Sequence, residues 1–559
     1  MKNNLRQVFT VAIGGAAGDG AKEATINFGR LVARHGFEFY LSVDYPSLIK
    51  GGHNFARVSF CAQKLYSDFT SLDALIALNA ETVEKHKNEM KKNAVVFLDA
   101  VEAPPGVIAV PASIWAKEAK APPIMRASAL LGAMAYYFNL DIDKLNAVFV
   151  EIFGSKAQPN ILLAAKGYEF MVKNKVIKQS LPKYAAKGKK YYDGNEAFAE
   201  GLVAAGLKNY FAYPMTPSST ILHYLAKKAK DYKLKVIQPE NEIAVINMAL
   251  GSAYAGVRTA VASSCGGFAL MLEALAMAGM EEMPIVAADS ARASSSTGVP
   301  TRTGQGDLDF VRHMPGEFPR LVIAPGDVEE SFLLGAEAMN LAWQYQIPAV
   351  VLLDKQISES VSTAELPSDK IKIMPAKPAR SGRDYKRYAF TAGGVSPLAY
   401  PGDKDTVVKV ASYEHDENGY INDDPATVKR MYEKRFAKMA GLIREMKKRQ
   451  SIKIWGDKTA KNVIVFFGST KGAALEAIKL VKKPIRAVQA LWLEPFDDIA
   501  FLKAVKGAKK IVCVENDFTG QFQKLIRQKT GLEIKRHIRR YDSLPFDPEE
   551  LAKQLNKIF

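Results

Sequence analysis

The sequence predicts a multi-domain α/β protein built largely on parallel sheets. Three observations carry this. Between about 194 and 360, short apolar runs alternate six times with helix-length stretches, the pattern of a sheet covered on both faces. A similar alternation opens the chain and returns from about 461 onward. The 559 residues correspond to three or four domains at roughly 150 residues each.

Taken in order, residues 8–13 read as a first buried strand. Gly14-Gly15 and Gly18-Asp19-Gly20 follow as a turn, then a helix over 21–35. The basic start and apolar 8–17 also resemble a short signal peptide, but a glycine turn leading into a helix favours the strand. Further short strands are expected at 37–42, 55–61, 74–77 and 94–98. A Lys-rich stretch from 168 to 195, with a linker tip at 185–190, marks a domain boundary. The second segment then offers strands at 210–213, 235–238, 259–263, 284–289, 320–323 and 349–353. Residues 375–425 are rich in Gly, Pro, Asp and Tyr and read as an extended excursion. Within it, Glu414-His415-Asp416-Glu417 reads as a polar turn, since consecutive residues rarely converge on one metal ion. Tyr432, Phe436, Met439, Ile443 and Met446 recur at helical spacing and predict an amphipathic helix with a basic outer face. Strands at 463–467, 487–491 and 510–514 belong to the last domain.

Composition narrows the function classes. Apolar residues at 48% and charged residues at 24% are those of a globular protein, not a disordered or fibrous one. Lys plus Arg number 76 against 59 Asp plus Glu, a net charge of +17 spread along the chain. A solvated surface is the first reading of that charge, an acidic partner the second and nucleic acid the third. Cys61, Cys265 and Cys513 lie far apart without a CxxC or a Cys-His cluster. This chain therefore cannot by itself ligate zinc or an iron–sulfur cluster through cysteine, and a reducing, cytoplasmic setting is expected. No apolar run approaches the ~18–20 residues that span a bilayer, so no membrane partner is expected.

The chemistry-bearing motifs lie where strands end. Gly15-x-x-Gly18-x-Gly20 reverses the dinucleotide spacing and serves either a phosphate or a tight turn. Gly18-Asp19-Gly20 imitates the metal–diphosphate motif of thiamine enzymes, but the asparagine that would complete it is misplaced: after Asn27 the next is Asn54. The imitation reads as a decoy. Tyr213-Pro214-Met215-Thr216-Pro217-Ser218-Ser219 joins a strand to a helix, with two prolines fixing φ and Ser218 or Ser219 placed to cap. Its functional reading has Thr216 and the helix N-terminus facing an anionic substrate. Glu240-Asn241-Glu242 ends the next strand and opens a helix of small residues up to Gly256. The spacing from Glu242 to Gly251, Arg258 and Ser263-Ser264-Cys265-Gly266-Gly267 is similar to the pyrimidine-binding domain of thiamine diphosphate enzymes, whose glutamate opens such a helix.

At this point the resemblance becomes specific. The chain resembles the α-subunit of a 2-oxoacid:ferredoxin oxidoreductase carrying an N-terminally fused γ domain. Tyr213-Pro-Met-Thr-Pro217 is similar to that family's YPITP signature. Ser296-Thr-Gly-Val-Pro-Thr-Arg302 with Gln305 and Asp307-Leu308, and Gly316-Glu-Phe-Pro-Arg320, resemble its next blocks. Tyr45-Pro-Ser-Leu-Ile-Lys-Gly-Gly-His-Asn54 resembles the γ domain, and Gly468-Ser469 and Glu494-Pro-Phe496 the transketolase-like C-terminal domain. The resemblance implies a γ domain over 1–180, a pyrimidine-binding doubly wound sheet over 194–375, a connector with the basic helix over 376–460, and the transketolase-like domain over 461–559.

It also implies a reaction: a 2-oxoacid and coenzyme A give acyl-CoA, carbon dioxide and two electrons for ferredoxin. Glu242, Thr216 and Arg302 are the implied catalytic residues. Glu242, Ser264, Cys265, Gly266 and Gly267 would line the cofactor. Arg302, and Arg292 as second choice, would bind the substrate carboxylate with Thr216. Thiamine diphosphate would be shared with a separate β subunit that supplies magnesium and the iron–sulfur cluster; no metal site is expected in this chain. The sequence departs from the family at Met215, at Ser264-Cys265-Gly266-Gly267 where an SGPG-like turn is usual, and at Ser294-Ser295 where Gly-Pro is usual. A basic nucleic-acid scaffold and a stand-alone transketolase-like enzyme are the rival readings, the first resting on charge alone and the second disfavoured by the missing metal motif.

Overall fold

The structure is a computed structural model and describes residues 7–46, 52–185, 188–380 and 382–559. Packing divides the chain into two units. One comprises the chain up to Tyr192 with Ser360–Glu365 and Asp547–Glu550; the other comprises Asp193–Glu359, Leu366–Phe546 and Leu551–Phe559.

The first unit is organised by an eight-stranded mixed sheet. Phe9–Ala16 runs parallel to Leu72–Ala77 on one side and antiparallel to His53–Cys61 on the other. The apolar run near the N-terminus is thus a central strand, with Phe9, Val11 and Ile13 in the core. Helix Ala21–Arg34 covers it through the fully buried Phe28, Leu31 and Val32. The preceding turn closes on itself: Asp19 Oδ2 accepts from the Ala16 N–H at 2.8 Å, and Arg126 pairs with Asp19 at 2.7 Å. A Cβ on Gly14 would lie 2.8 Å from Thr82 Cγ2 and 2.9 Å from His53 Cε1, so close packing requires glycine there. Residues 47–51 of the γ-like motif and residues 186–187 of the linker tip lie outside the described residues. Val361–Ala364 returns from far along the chain to pair antiparallel with Glu38–Asp44.

The second unit holds two sheets. The seven-stranded sheet runs in the order Trp492–Glu494, Leu321–Ile323, Pro348–Asp354, Ile285–Ala291, Thr259–Ser263, Asn209–Phe211, Lys235–Ile237. Every pairing in it is parallel except that of Trp492–Glu494. Its central strands are buried end to end because helices cover both faces. The five-stranded sheet runs Ile452–Gly456, Ile485–Ala490, Asn462–Phe467, Lys510–Glu515, Arg536–Arg539, parallel apart from its first strand. One apolar core includes Val261, Ala287 and Val322 of the first sheet and Val465, Val488 and Cys513 of the second.

The connector helix forms over Pro425–Lys448, but its faces correct the expectation. Lys434, Arg435 and Lys438 are buried with Met431, Leu442 and Met446, while Tyr432 and Phe436 are 36% and 41% exposed. Lys434 and Lys438 reach Glu282 at 2.6 and 2.5 Å, and Arg435 forks onto Glu414 at 2.8 and 2.7 Å. These carboxylates come from distant parts of the chain and let the cations be buried in pairs. The turn 414–417 is likewise packed: His415 is buried, its ring 3.9 Å from that of Tyr388.

Candidate active site

The strand order places a crevice. From Asn209–Phe211 the chain crosses to Lys235–Ile237 on one side, then returns to Thr259–Ser263 on the other. The connections diverge at the carboxyl end of Asn209–Phe211, the position where open α/β sheets bind ligands. Thr216, Glu242 and Ser264–Gly267 all lie in segments that follow these three strands.

Glu242 is the first residue of helix Glu242–Tyr254. Asn241 caps that helix, its side-chain oxygen accepting from the Ala244 N–H at 3.0 Å. Glu242 is 3% exposed, whereas Glu240 two residues earlier faces solvent. Among the described residues, the Ser263 hydroxyl at 3.4 Å is the one hydrogen-bond partner of the Glu242 carboxylate, a long contact that leaves most of its acceptor capacity unused. Gly267 faces both groups: a Cβ there would lie 2.3 Å from Glu242 Oε1 and 2.3 Å from Ser263 Oγ. Beside them, Ser264 Oγ is buried with no partner. Cys265 adopts φ 44°, ψ −102°, a backbone region that a side chain rarely occupies.

The turn before helix Ser219–Tyr232 is held from behind. Asn195, fully buried, donates through Nδ2 to the Pro217 carbonyl at 2.8 Å and to Thr220 Oγ1 at 2.7 Å. Ser218 does not cap the helix as expected; its hydroxyl donates to the Met215 carbonyl at 2.8 Å. Thr216 is half-buried, and its carbonyl accepts from Arg292 Nη1 at 3.1 Å. Arg292 Nη2 reaches the Ser296 carbonyl at 3.5 Å, and Nε is buried without a partner. The Arg292 guanidinium therefore joins the Thr216 turn to the 292–307 loop.

That loop is tightly folded. Ala293 N–H donates to the Arg302 carbonyl at 3.2 Å, Val299 N–H to Ala293 at 2.9 Å and Arg302 N–H to Val299 at 3.0 Å. Thr216 and Arg292 thus touch directly, and the Arg302 backbone adjoins the residue after Arg292. Farther on, Gln305 ties the loop to the five-stranded sheet. Its N–H donates to the Asn516 carbonyl at 2.7 Å, its Nε2 to the Phe467 carbonyl at 3.1 Å, and its Oε1 accepts from Asn516 N–H and Thr470 Oγ1, each at 2.9 Å. Arg320 has a scaffold role, donating to the carbonyls of Arg312, Met314 and Gly316 while lying 3.9 Å over the Phe318 ring.

The electrostatics beneath the turn are acidic. Burial pushes the Cys265 thiol up to about 11, and the nearby Asp307 and Asp289 add to the rise. Burial likewise raises both carboxyls, Asp289 well above the usual carboxylate range, with Asp307 its next-largest influence. Cys265 is therefore a neutral thiol at neutral pH, and we expect it to resist iodoacetamide at pH 7.5; rapid, selective labelling of Cys265 in the folded chain would refute this.

Sequence reasoning missed Asn195, Asp289 and the anchoring by Gln305. Asn195 stands in a helix one element upstream and carries no local signal. Asp289 is visible only as a charge ending an otherwise apolar strand.

A doubly wound sheet with a buried glutamate opening a small-residue helix at its switch point defines the pyrimidine-binding half of a thiamine-type enzyme. Comparison with known proteins agrees. Residues 200–434 match the family described as pyruvate flavodoxin/ferredoxin oxidoreductase, thiamine diphosphate-binding, and residues 10–170 match pyruvate ferredoxin/flavodoxin oxidoreductase. The chain is 31% identical to the 2-oxoacid:ferredoxin oxidoreductase subunit alpha of a Sulfolobus species, covering 98% of this chain and 96% of that one. It is 28% identical to the 2-oxoglutarate synthase subunit KorA of Methanothermobacter marburgensis over 61% of this chain and 92% of the relative. A solved 2-oxoglutarate:ferredoxin oxidoreductase from Magnetococcus marinus, with 2-oxoglutarate, coenzyme A and succinyl-CoA bound, superposes with a TM-score of 0.90 at 29% identity, over 99% of each chain. The chain belongs to the 2-oxoacid:ferredoxin oxidoreductase family and aligns with its α subunits.

The residues present fit the aminopyrimidine end of thiamine diphosphate. A buried carboxylate with spare acceptor capacity, an orphaned Ser264 hydroxyl and a side-chain-free Gly267 meet at one place.

Proposed function

We propose that this chain recognises the 2-oxoacid and the pyrimidine of thiamine diphosphate in an enzyme that converts a 2-oxoacid, coenzyme A and two oxidised ferredoxins into acyl-CoA, carbon dioxide, two reduced ferredoxins and a proton. The observation that carries this is the burial of Glu242 against Gly267 at the switch point of the sheet. When bound, thiamine diphosphate supplies the carbon nucleophile and the electron sink for decarboxylation. Glu242 holds the proton at pyrimidine N1′, which sets the ring tautomer. Ser264 offers its free hydroxyl to the same ring, and Gly267 keeps the approach open. Thr216 donates from its hydroxyl to a substrate oxygen, and Arg302 clamps the substrate carboxylate. Arg292, already engaged by two backbone carbonyls, positions Thr216.

The metal, the diphosphate and the iron–sulfur cluster are assigned to a separate β subunit. Asp19 is committed to its own turn and to Arg126, so it does not serve as a metal–diphosphate ligand. Three separated cysteines do not make a cluster site. A partner surface also adjoins the glutamate: Ile243 and Met248 on its helix and Leu270 in the next segment are 52%, 45% and 51% exposed. Among the described residues no helix is long and apolar enough to cross a membrane.

The test is co-expression and co-purification with a candidate β subunit, followed by assay. Ferredoxin reduction that requires both a 2-oxoacid and coenzyme A is expected; its absence with pyruvate, 2-oxoglutarate and branched 2-oxoacids alike would reject the reading. Calorimetry of the isolated chain with thiamine diphosphate and magnesium is expected to show only weak binding, since half the site is missing. Micromolar or tighter binding, about −8 kcal/mol or more, would place the diphosphate site in this chain.

A further inference from the structure

Asp289 and Asp307 come from different elements and meet under the candidate site. Asp289 lies in the strand Ile285–Ala291 and is fully buried; Asp307 precedes helix Leu308–Arg312 at the far end of the 292–307 loop. Asp289 Oδ1 accepts the Cys265 N–H at 2.9 Å. Asp289 Oδ2 and Asp307 Oδ2 are each buried without a donor. The two side chains nevertheless lie close enough for each to shift the other's titration. Two acceptor oxygens in contact repel when both groups are ionised, and a single proton between them satisfies both.

We propose that Asp289 and Asp307 are a positioning pair sharing one proton, and that this proton latches the 292–307 loop, and with it Arg302, to the strand that supports the Cys265 turn. The consequence for turnover rests on the reading of Arg302 as the carboxylate clamp.

Arg292, Cys265 and Asp354 stand around the pair. Arg292 attracts both carboxylates while Nη1 and Nη2 donate to the Thr216 and Ser296 carbonyls. The Cys265 thiol, on the turn above, stays neutral through the physiological range and donates to Asp307, so its contact does not change with the pair's proton. On the other side the strand Pro348–Asp354 sets Leu352 opposite Asp289, and its terminal Asp354 accepts from the Ile357 N–H at 3.0 Å. Burial raises both carboxyls, Asp307 to about 6 and Asp289 well above the usual carboxylate range, so the pair keeps a proton to higher pH than free carboxylates do and loses it as pH rises. The latch is therefore closed while the pair holds its proton and opens as pH rises past the pair's raised range.

The experiment compares Asp307→Asn with Asp307→Ala in the assembled enzyme. KM for the 2-oxoacid and kcat are measured across pH, with hydrogen exchange of the 292–307 segment read in parallel. The Asn amide donates permanently to Asp289 and should imitate the protonated pair. Asp307→Asn is expected to keep the neutral-pH KM within about threefold and to remove its alkaline rise, whereas Asp307→Ala should raise KM by about tenfold or more at every pH with a smaller change in kcat. Exchange in 292–307 should quicken at alkaline pH in the wild type beyond the intrinsic base dependence, and not in Asp307→Asn. Equal behaviour of the Asn and Ala variants, or wild-type exchange that follows the intrinsic rate alone, overturns the proposal. Exchange that responds as expected beside a flat KM keeps the latch and rejects the assignment of Arg302 to the substrate.

Discussion

Glu242→Gln is expected to lower kcat by about 10²- to 10⁴-fold, the range typical of a lost acid–base partner. The substitution keeps the size of the side chain, the Asn241 cap and the packing under helix Glu242–Tyr254. It removes a negative charge from a helix N-terminus, worth about 0.3–1 kcal/mol, so the thermal midpoint should move by only a few degrees. Turnover should collapse while the fold persists. The measurement is kcat at saturating cofactor together with a melting curve. A variant within about threefold of the wild type would mean that Glu242 does no proton work. The structure leaves no ready substitute, because Glu240 is exposed.

Gly267→Ala is expected to cost about 10²-fold in kcat, the penalty of misplacing a catalytic group by about 1 Å. The added methyl would stand 2.3 Å from both Glu242 Oε1 and Ser263 Oγ, less than any real contact allows, so one of the two must move. Gly266→Ala is the control. Its methyl would find the Ser296 carbonyl oxygen at 3.6 Å, an ordinary contact, so Glu242 keeps its place and the loss in kcat should be smaller than for Gly267→Ala. Equal kcat values for the two variants would show that Gly267 does not govern the placement of Glu242.

The two substitutions also show which parts of the site could be read in advance. The place of Glu242 at a helix start was legible because the signal is local: an acidic residue at the end of an apolar run, followed by small residues at helical spacing, marks a helix start wherever it occurs. The requirement for glycine at 267 was not legible. The motif showed two glycines, and only the approach of Glu242 from another element separates the one that admits no side chain from the one that does.

The same division holds along the chain. Strand positions followed from runs of apolar residues, and Phe9–Ala16, Thr259–Ser263 and Asn462–Phe467 formed within a few residues of expectation. Family-specific blocks in matching order were enough to place the chain among 2-oxoacid:ferredoxin oxidoreductases. Periodicity misjudged the connector helix, because it counts Lys434 and Lys438 as solvent-facing and has no knowledge of Glu282. It was silent on Val361–Ala364 joining the first sheet, on Asn195 bracing the Thr216 turn, on Gln305 tying a loop to another sheet and on Asp289 meeting Asp307. The sequence by itself determined the α/β class, the strands and the acidic helix start, since these arise from side-chain pattern within a few residues. The tertiary structure decided which charges are buried and which polar groups meet, because an ion pair or a hydrogen bond depends on distance in space, and its partner can stand anywhere in the chain.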